Sequence, residues 1–213
     1  MIKAVLFDMD GVLIDSFDTV AKIIDSAMVE AGHRGLTRAQ LRHIYHMTLV
    51  DTIKYLVKGA SQAEIGKIRE LVYKYDRLVT EVKTAKGCAE TLDVLGKRYR
   101  MAVVSSTERW RVEHLLGLAD ILDRFELIVS TEDFSRPKPH PEPLCVALKK
   151  MGIKPADAVY IGDRKTDVEA AEAAGMKSIG FLGLVDGKLP AADLTTKNFG
   201  SIPSLVKKLS LED

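Results

Sequence analysis

The opening stretch constrains this chain most. Ile2-Lys3-Ala4-Val5-Leu6-Phe7 is almost continuously apolar and stops at Asp8-Met9-Asp10-Gly11. A run without polar alternation is buried on both faces, as the strands of a parallel sheet are. Four similar runs come much later, at residues 101–104, 127–129, 158–161 and 178–181, separated by helical patterns at 108–116, 142–151 and 167–174. Strands alternating with helices build βαβ crossovers, so the expected fold is α/β, with a doubly wound, Rossmann-like parallel sheet. A sixth short strand is expected near Leu194 and a closing helix at 203–209.

Residues 15–82 break that rhythm. They offer no convincing strand, but helical patterns at 19–31, 38–47, 51–58 and 63–80, with Gly32, Gly35 and Gly59 as punctuation. The expected organisation is therefore a core from residues 1–14 and 83–213, with a small helical domain of residues 15–82 inserted after the first strand.

Composition narrows the function. The 213 residues carry 31 Lys+Arg against 30 Asp+Glu, a net charge of +1, so charge gives no reason to expect nucleic acid or an acidic membrane as partner. No apolar run approaches the ~18 residues of a spanning helix. Cys88 and Cys145 are too far apart for a metal knuckle and read as buried thiols of a cytoplasmic protein.

The strand ends carry the chemistry. In open α/β sheets ligands bind beyond the carboxyl ends of the strands. Asp8 and Asp10 lie there, two positions apart, on the same side if the chain is still extended. Ser105-Ser106-Thr107 follow the second run and open a helix, where phosphate is favoured. Gly162-Asp163-Arg164-Lys165-Thr166-Asp167 follow the fourth, with the acids one helical turn apart. Lys138 lies between Pro137 and Pro139, which predicts an extended loop. Carboxylates, hydroxyls and a lysine from four strand ends suit a hard cation with a phosphate.

These residues also resemble a known family. Val5-Leu6-Phe7-Asp8-Met9-Asp10-Gly11-Val12-Leu13-Ile14-Asp15-Ser16, Ser105-Ser106, Lys138 and Gly162-Asp163…Asp167 are similar to the four motifs of haloacid dehalogenase-superfamily phosphatases, in the phosphoglycolate phosphatase and β-phosphoglucomutase branch. The resemblance implies a Mg²⁺-dependent phosphatase acting on a small phosphorylated metabolite, with residues 15–82 as its helical cap. It implies Asp8 as nucleophile, Asp10 as general acid and base, and Asp8, the Asp10 carbonyl and Asp163 as Mg²⁺ ligands. Asp167 would be a supporting or water-mediated ligand. Ser105, a nearby backbone N–H at Ser106, and Lys138 would hold phosphoryl oxygens. Dehalogenases lack an acid at position 10, which disfavours that activity, and a monomer or small homo-oligomer is expected.

A phosphomutase of the β-phosphoglucomutase type would carry a cap arginine where His46-Met47-Thr48-Leu49 has Leu49. A phospho-accepting signalling module is shorter and lacks an Asp-x-Asp on its first strand. A silent scaffold has little reason to keep all four motifs. Gly183–Leu189 imitates a phosphate loop, but its spacing is wrong. His43 and His46 share a helical face with no third ligand for a metal.

Overall fold

A computed structural model of the chain describes residues 1–45, 47–184 and 188–211. His46 and the middle of the 183–189 segment lie outside the described residues. The chain divides into two compact units, Met1–Asp15 with Val82–Asp213, and Ser16–Glu81. It runs β1 (Ala4–Phe7), β2 (Ile14–Asp15), then helices α1 (Phe17–Glu30), α2 (Arg38–Ile44), α3 (Leu49–Leu56) and α4 (Gln62–Arg77). The first unit resumes with β3 (Lys83–Thr84), α5 (Cys88–Gly96), β4 (Arg100–Val104), α6 (Arg109–Leu118), β5 (Leu127–Val129) and α7 (Glu142–Met151). It closes with β6 (Ala158–Gly162), α8 (Lys165–Ala173), β7 (Lys177–Phe181), β8 (Leu194–Thr196) and α9 (Ile202–Leu209).

Six strands form one sheet in the order β5-β4-β1-β6-β7-β8, parallel at every pairing. The apolar runs are its buried centre, as expected: every residue of β1 and β6 is buried. Ala4, Leu6, Ala102, Val104, Ala158 and Tyr160 share one core with Leu144, Ala147 and Leu148 of α7 and with Ala170 and Ala171 of α8. Alanines let α8 lie close to the sheet. Phe7 packs instead against Phe125 and Phe199, and Phe181 also meets Phe199. β1 sits at the centre because the chain leaves it for β4 and β5 on one side, then returns to β6 on the other. That reversal is a topological switch point, where an open α/β sheet leaves a crevice.

The unit Ser16–Glu81 has its own core of Ile23, Ile24, Ala27, Met28, Ile44, Ile53, Ile65, Ile68 and Val72. Helices α2, α3 and α4 start on side-chain caps: Thr37 accepts from Gln40 N–H, Thr48 from Asp51 N–H and Ser61 from Glu64 N–H. Leu49 packs against this core.

Four features depart from the sequence expectation. Helix α2 ends at Ile44 rather than at 47. Ile14–Asp15 and Lys83–Thr84 pair as a short antiparallel ribbon; two residues per strand leave no periodicity to read. Helix α5 has no side-chain cap and starts from Gly87 at φ 74°, so it lacks the usual start signal. Cys145 is exposed, not buried, while burial pushes the Cys88 thiol up to about 12. No described helix is long and apolar enough to cross a membrane.

Candidate active site

The sheet register assembles the site. Phe7 is level with Val103 of β4 and Ile161 of β6, so Asp8, Val104 and Gly162 stand together at the carboxyl edge. The Asp8 N–H donates to the Ile161 carbonyl at 2.9 Å, holding Asp8 at the strand end. Its Oδ1 accepts from Lys138 Nζ at 2.7 Å. The same ammonium donates to Asp167 Oδ1 at 2.6 Å and to the Tyr160 hydroxyl at 2.8 Å, so all three of its donors are used. Tyr160 in turn donates to the Val104 carbonyl at 3.1 Å. Lys138 does not lie in an extended loop: the His140 N–H donates to the Pro137 carbonyl across a tight turn whose Lys138–Pro139 peptide is cis. The flanking prolines shape the loop, but as a turn that aims the lysine inward.

Asp163 and Asp167 are not related as successive turns of a helix. Asp163 precedes α8, and Asp167 Oδ2 reaches back to accept from the Asp163 N–H at 3.1 Å and the Arg164 N–H at 3.0 Å. Asp167 thus caps α8 with one oxygen and holds Lys138 with the other. Asp163 differs: both its carboxylate oxygens are buried without a hydrogen-bond partner, and the Arg164 guanidinium approaches only to 3.9 Å. Two glycines leave room for this cluster. A Cβ on Gly11, which also has φ +84°, would strike the Asp163 carboxylate, and one on Gly162 would strike the Asp167 side chain.

Asp8, Asp163 and Asp167 each offer a carboxylate oxygen within 4.8 Å of the others. Burial pushes the Asp163 carboxyl up to about 8, helped by the charges of Asp8 and then Asp167. Burial also raises Asp8 to about 6, with Lys138 opposing. Burial works against the Lys138 charge, but Asp167 and Asp8 outweigh it and hold the ammonium well above its ordinary range. A buried carboxylate with two unpartnered oxygens is costly unless a cation neutralises it. An all-oxygen donor set fits a hard divalent ion such as Mg²⁺.

The remaining expected residues lie around this cluster. β1 ends at Phe7, and the Met9 carbonyl accepts from the N–H groups of Leu13 and Ile14, turning the chain. Asp8 and Asp10 are therefore not successive same-side residues of one extended strand, and they take different cations. Arg111 Nη1 donates to Asp10 Oδ2 at 2.9 Å. Ser105 is buried and Ser106 exposed. Both follow β4 at the same edge, and among the described residues neither hydroxyl bonds to the acidic cluster.

Residues 5–181 match the family profile described as haloacid dehalogenase-like hydrolase. The chain belongs to that family. It is 31% identical over 189 residues to the pyrophosphatase PpaX of Bacillus pumilus, covering 88% of this chain and 86% of that protein. It is 30% identical over 180 residues to a phosphoglycolate phosphatase of Xylella fastidiosa, covering 83% and 79%. A subfamily IA hydrolase of the superfamily from Geobacter sulfurreducens superposes with a TM-score of 0.77 at 26% identity, over 96% of each chain. As a member of the haloacid dehalogenase-like hydrolases with relatives of this kind, the chain is a phosphatase-type enzyme. Its resemblance to the family and its α/β fold are both borne out.

Three neighbours of the cluster were not among the residues expected of this hydrolase. Tyr160 is fully buried in an otherwise apolar strand, where a hydroxyl needs a partner. Arg111 occupies the buried stripe of α6 with Val112, Leu115 and Leu116, and a charge on an apolar stripe is the signal that could have found it. Arg164 is held above its ordinary range: burial opposes its charge, but Asp163, Asp8, Asp10 and Asp167 together outweigh that. Replacing Tyr160 with Phe leaves the Val104 carbonyl and one Lys138 donor unmatched. Tyr160→Phe should cost about 1–3 kcal/mol of stability, read by thermal or urea denaturation. An unchanged midpoint would show that water replaces the hydroxyl.

Proposed function

We propose that this enzyme is a Mg²⁺-dependent phosphatase that hydrolyses a small phosphorylated metabolite through an aspartyl-phosphate on Asp8. The observation that carries the reading is the pairing, at one sheet edge, of Asp8 on Lys138 with Asp163, whose buried oxygens have no partner. One carboxylate is positioned to attack, and the other is left for a cation. Asp8, the Asp10 carbonyl and Asp163 would hold Mg²⁺. Asp167, with both oxygens engaged, would support it, directly or through water. When bound, the ion neutralises charge on the phosphoryl group.

Asp8 forms an O–P bond as the ester O–P bond breaks, and the leaving oxygen takes a proton from Asp10. Water then forms a new bond to phosphorus, the acyl-phosphate bond breaks, and Asp10 takes the water's proton. Lys138, the Ser105 hydroxyl and the Ser106 N–H would hold the phosphoryl oxygens. Phosphoglycolate and sugar or polyol phosphates are the substrate class. The similarity to a phosphoglycolate phosphatase supports it, and the pyrophosphatase relative adds pyrophosphate to the set to be assayed. The helical unit Ser16–Glu81 is the cap that selects the leaving group, and the enzyme works in the cytoplasm.

A panel of phosphorylated metabolites tests this. With Mg²⁺, phosphate release is expected from one or more monoesters, lost with EDTA and restored by excess Mg²⁺. Phosphate release at an equal rate in EDTA would refute the metal requirement, and none from any monoester would refute the phosphatase reading.

A further inference from the structure

We propose that Arg111 is a positioning residue of the phosphoryl transfer, its guanidinium fixing the Asp10 carboxyl so that Asp10 can reach the departing oxygen. The inference rests on the assignment of Asp10 as the acid that protonates the leaving group.

Arg111 is only 7% exposed and lies on the inward face of α6. A leucine or methionine would pack there without the desolvation cost of a buried guanidinium, so core packing alone does not call for an arginine. What the arginine reaches is the second aspartate of the Asp-x-Asp, 101 positions away in the chain, at 2.9 Å from Oδ2. Asp10 needs such a hold. It lies beyond the end of β1, next to Gly11 at φ 84°, and its side chain is more open than that of Asp8, 20% against 9% exposed.

The two aspartates thus take close hydrogen bonds from different cations, Asp8 from Lys138 and Asp10 from Arg111. A guanidinium also suits this task better than an ammonium, because its planar, fixed donors define the orientation of a carboxyl group. Helix α6 starts at Arg109, with one residue between it and Ser105-Ser106-Thr107, so one helix entry sets both the phosphoryl-facing segment and the Asp10 anchor.

In the formation of the phospho-enzyme, the step that kcat/KM reports, orientation of Asp10 matters only where the leaving oxygen needs a proton. An alkoxide needs one and a 2,4-dinitrophenolate does not. The test measures kcat/KM with Mg²⁺ on a primary alkyl phosphate, phenyl phosphate and 2,4-dinitrophenyl phosphate, for wild type, Asp10→Asn, Arg111→Gln and Arg111→Lys. Asp10→Asn should lose roughly 10²–10⁴-fold on the alkyl ester, the usual worth of a general acid, and far less on the dinitrophenyl ester. Arg111→Gln should follow the same slope more weakly, losing about 10–100-fold on the alkyl ester and under about threefold on the dinitrophenyl ester. Arg111→Lys, which keeps the charge, should recover part of the alkyl loss.

An Arg111→Gln loss equal on all three esters, or no loss beside a steep Asp10→Asn slope, overturns the role of Arg111 and leaves that of Asp10 standing. A flat Asp10→Asn profile overturns the acid assignment, and the role of Arg111 with it. If thermal melting shows that Arg111→Gln does not fold, Arg111→Lys carries the test, and a uniform loss in that variant overturns the inference.

Discussion

Asp8→Asn should lower turnover by on the order of 10⁴-fold or more, the scale seen when a covalent nucleophile is removed, while the protein stays folded. The substitution keeps volume and shape. An amide oxygen can still accept from Lys138, and that ammonium keeps Asp167 and Tyr160. The amide is not a nucleophile toward phosphorus, so the first chemical step has no attacking atom. Asp8 is also buried in a site that raises its carboxyl to about 6, so losing the charge imposes no large folding cost. Phosphate release should fall to the assay floor with the thermal midpoint little changed. A purified Asp8→Asn protein retaining a few per cent of Mg²⁺-dependent turnover would be incompatible with covalent catalysis at this residue.

Asp163→Asn should produce the second largest loss, about 10²-fold or more, comparable to losing a major electrostatic contact with the transferred group. It should act through the cation, not through the fold. The folded carboxyl sits at about 8 against an ordinary 3.8. Between those values the native protein keeps a proton that the unfolded chain has released. The native state then binds more protons, so metal-free stability should fall as pH rises from about 4 to about 8. Asp8, raised to about 6, adds to the lower part of that window. Mg²⁺ takes the ionised ligand, so its stabilising effect should grow over the same range. In Asp163→Asn the metal-free midpoint should hold or rise above pH 6, and the Mg²⁺-dependent gain should largely vanish. A Mg²⁺ shift equal to that of wild type would remove Asp163 from the ligand set.

Much of this fold is legible in the sequence because its signals are local. Four contiguous apolar residues such as Ala4–Phe7 can only be buried on both faces, and the acids and hydroxyls at the ends of such runs must meet along one sheet edge. What escaped is what only tertiary contact creates. The β2–β3 ribbon is two residues against two, joined across the whole of Ser16–Glu81. The prolines around Lys138 announced a restricted loop, but the turn that directs its ammonium toward Asp8 and Asp167 depends on the His140–Pro137 bond. The spacing of Asp163 and Asp167 suggests helical periodicity, but Asp163 precedes the helix and Asp167 caps it. Arg111 and Tyr160 show only as a charge and a hydroxyl where the pattern wants neither; their partners, Asp10 and Lys138, are remote in sequence.

The covalent intermediate is the central claim, and the Asp10→Asn variant offers the most direct view of it. Fed 2,4-dinitrophenyl phosphate with Mg²⁺, this variant needs no proton for the leaving group but lacks the base that activates water, so phosphorylated Asp8 should accumulate. Rapid mixing should give a burst of dinitrophenolate close to one equivalent per active site, and mass spectrometry of the quenched protein should place the phosphoryl group on the peptide containing Asp8. Steady release without a burst, with that peptide unmodified throughout turnover, would contradict the mechanism.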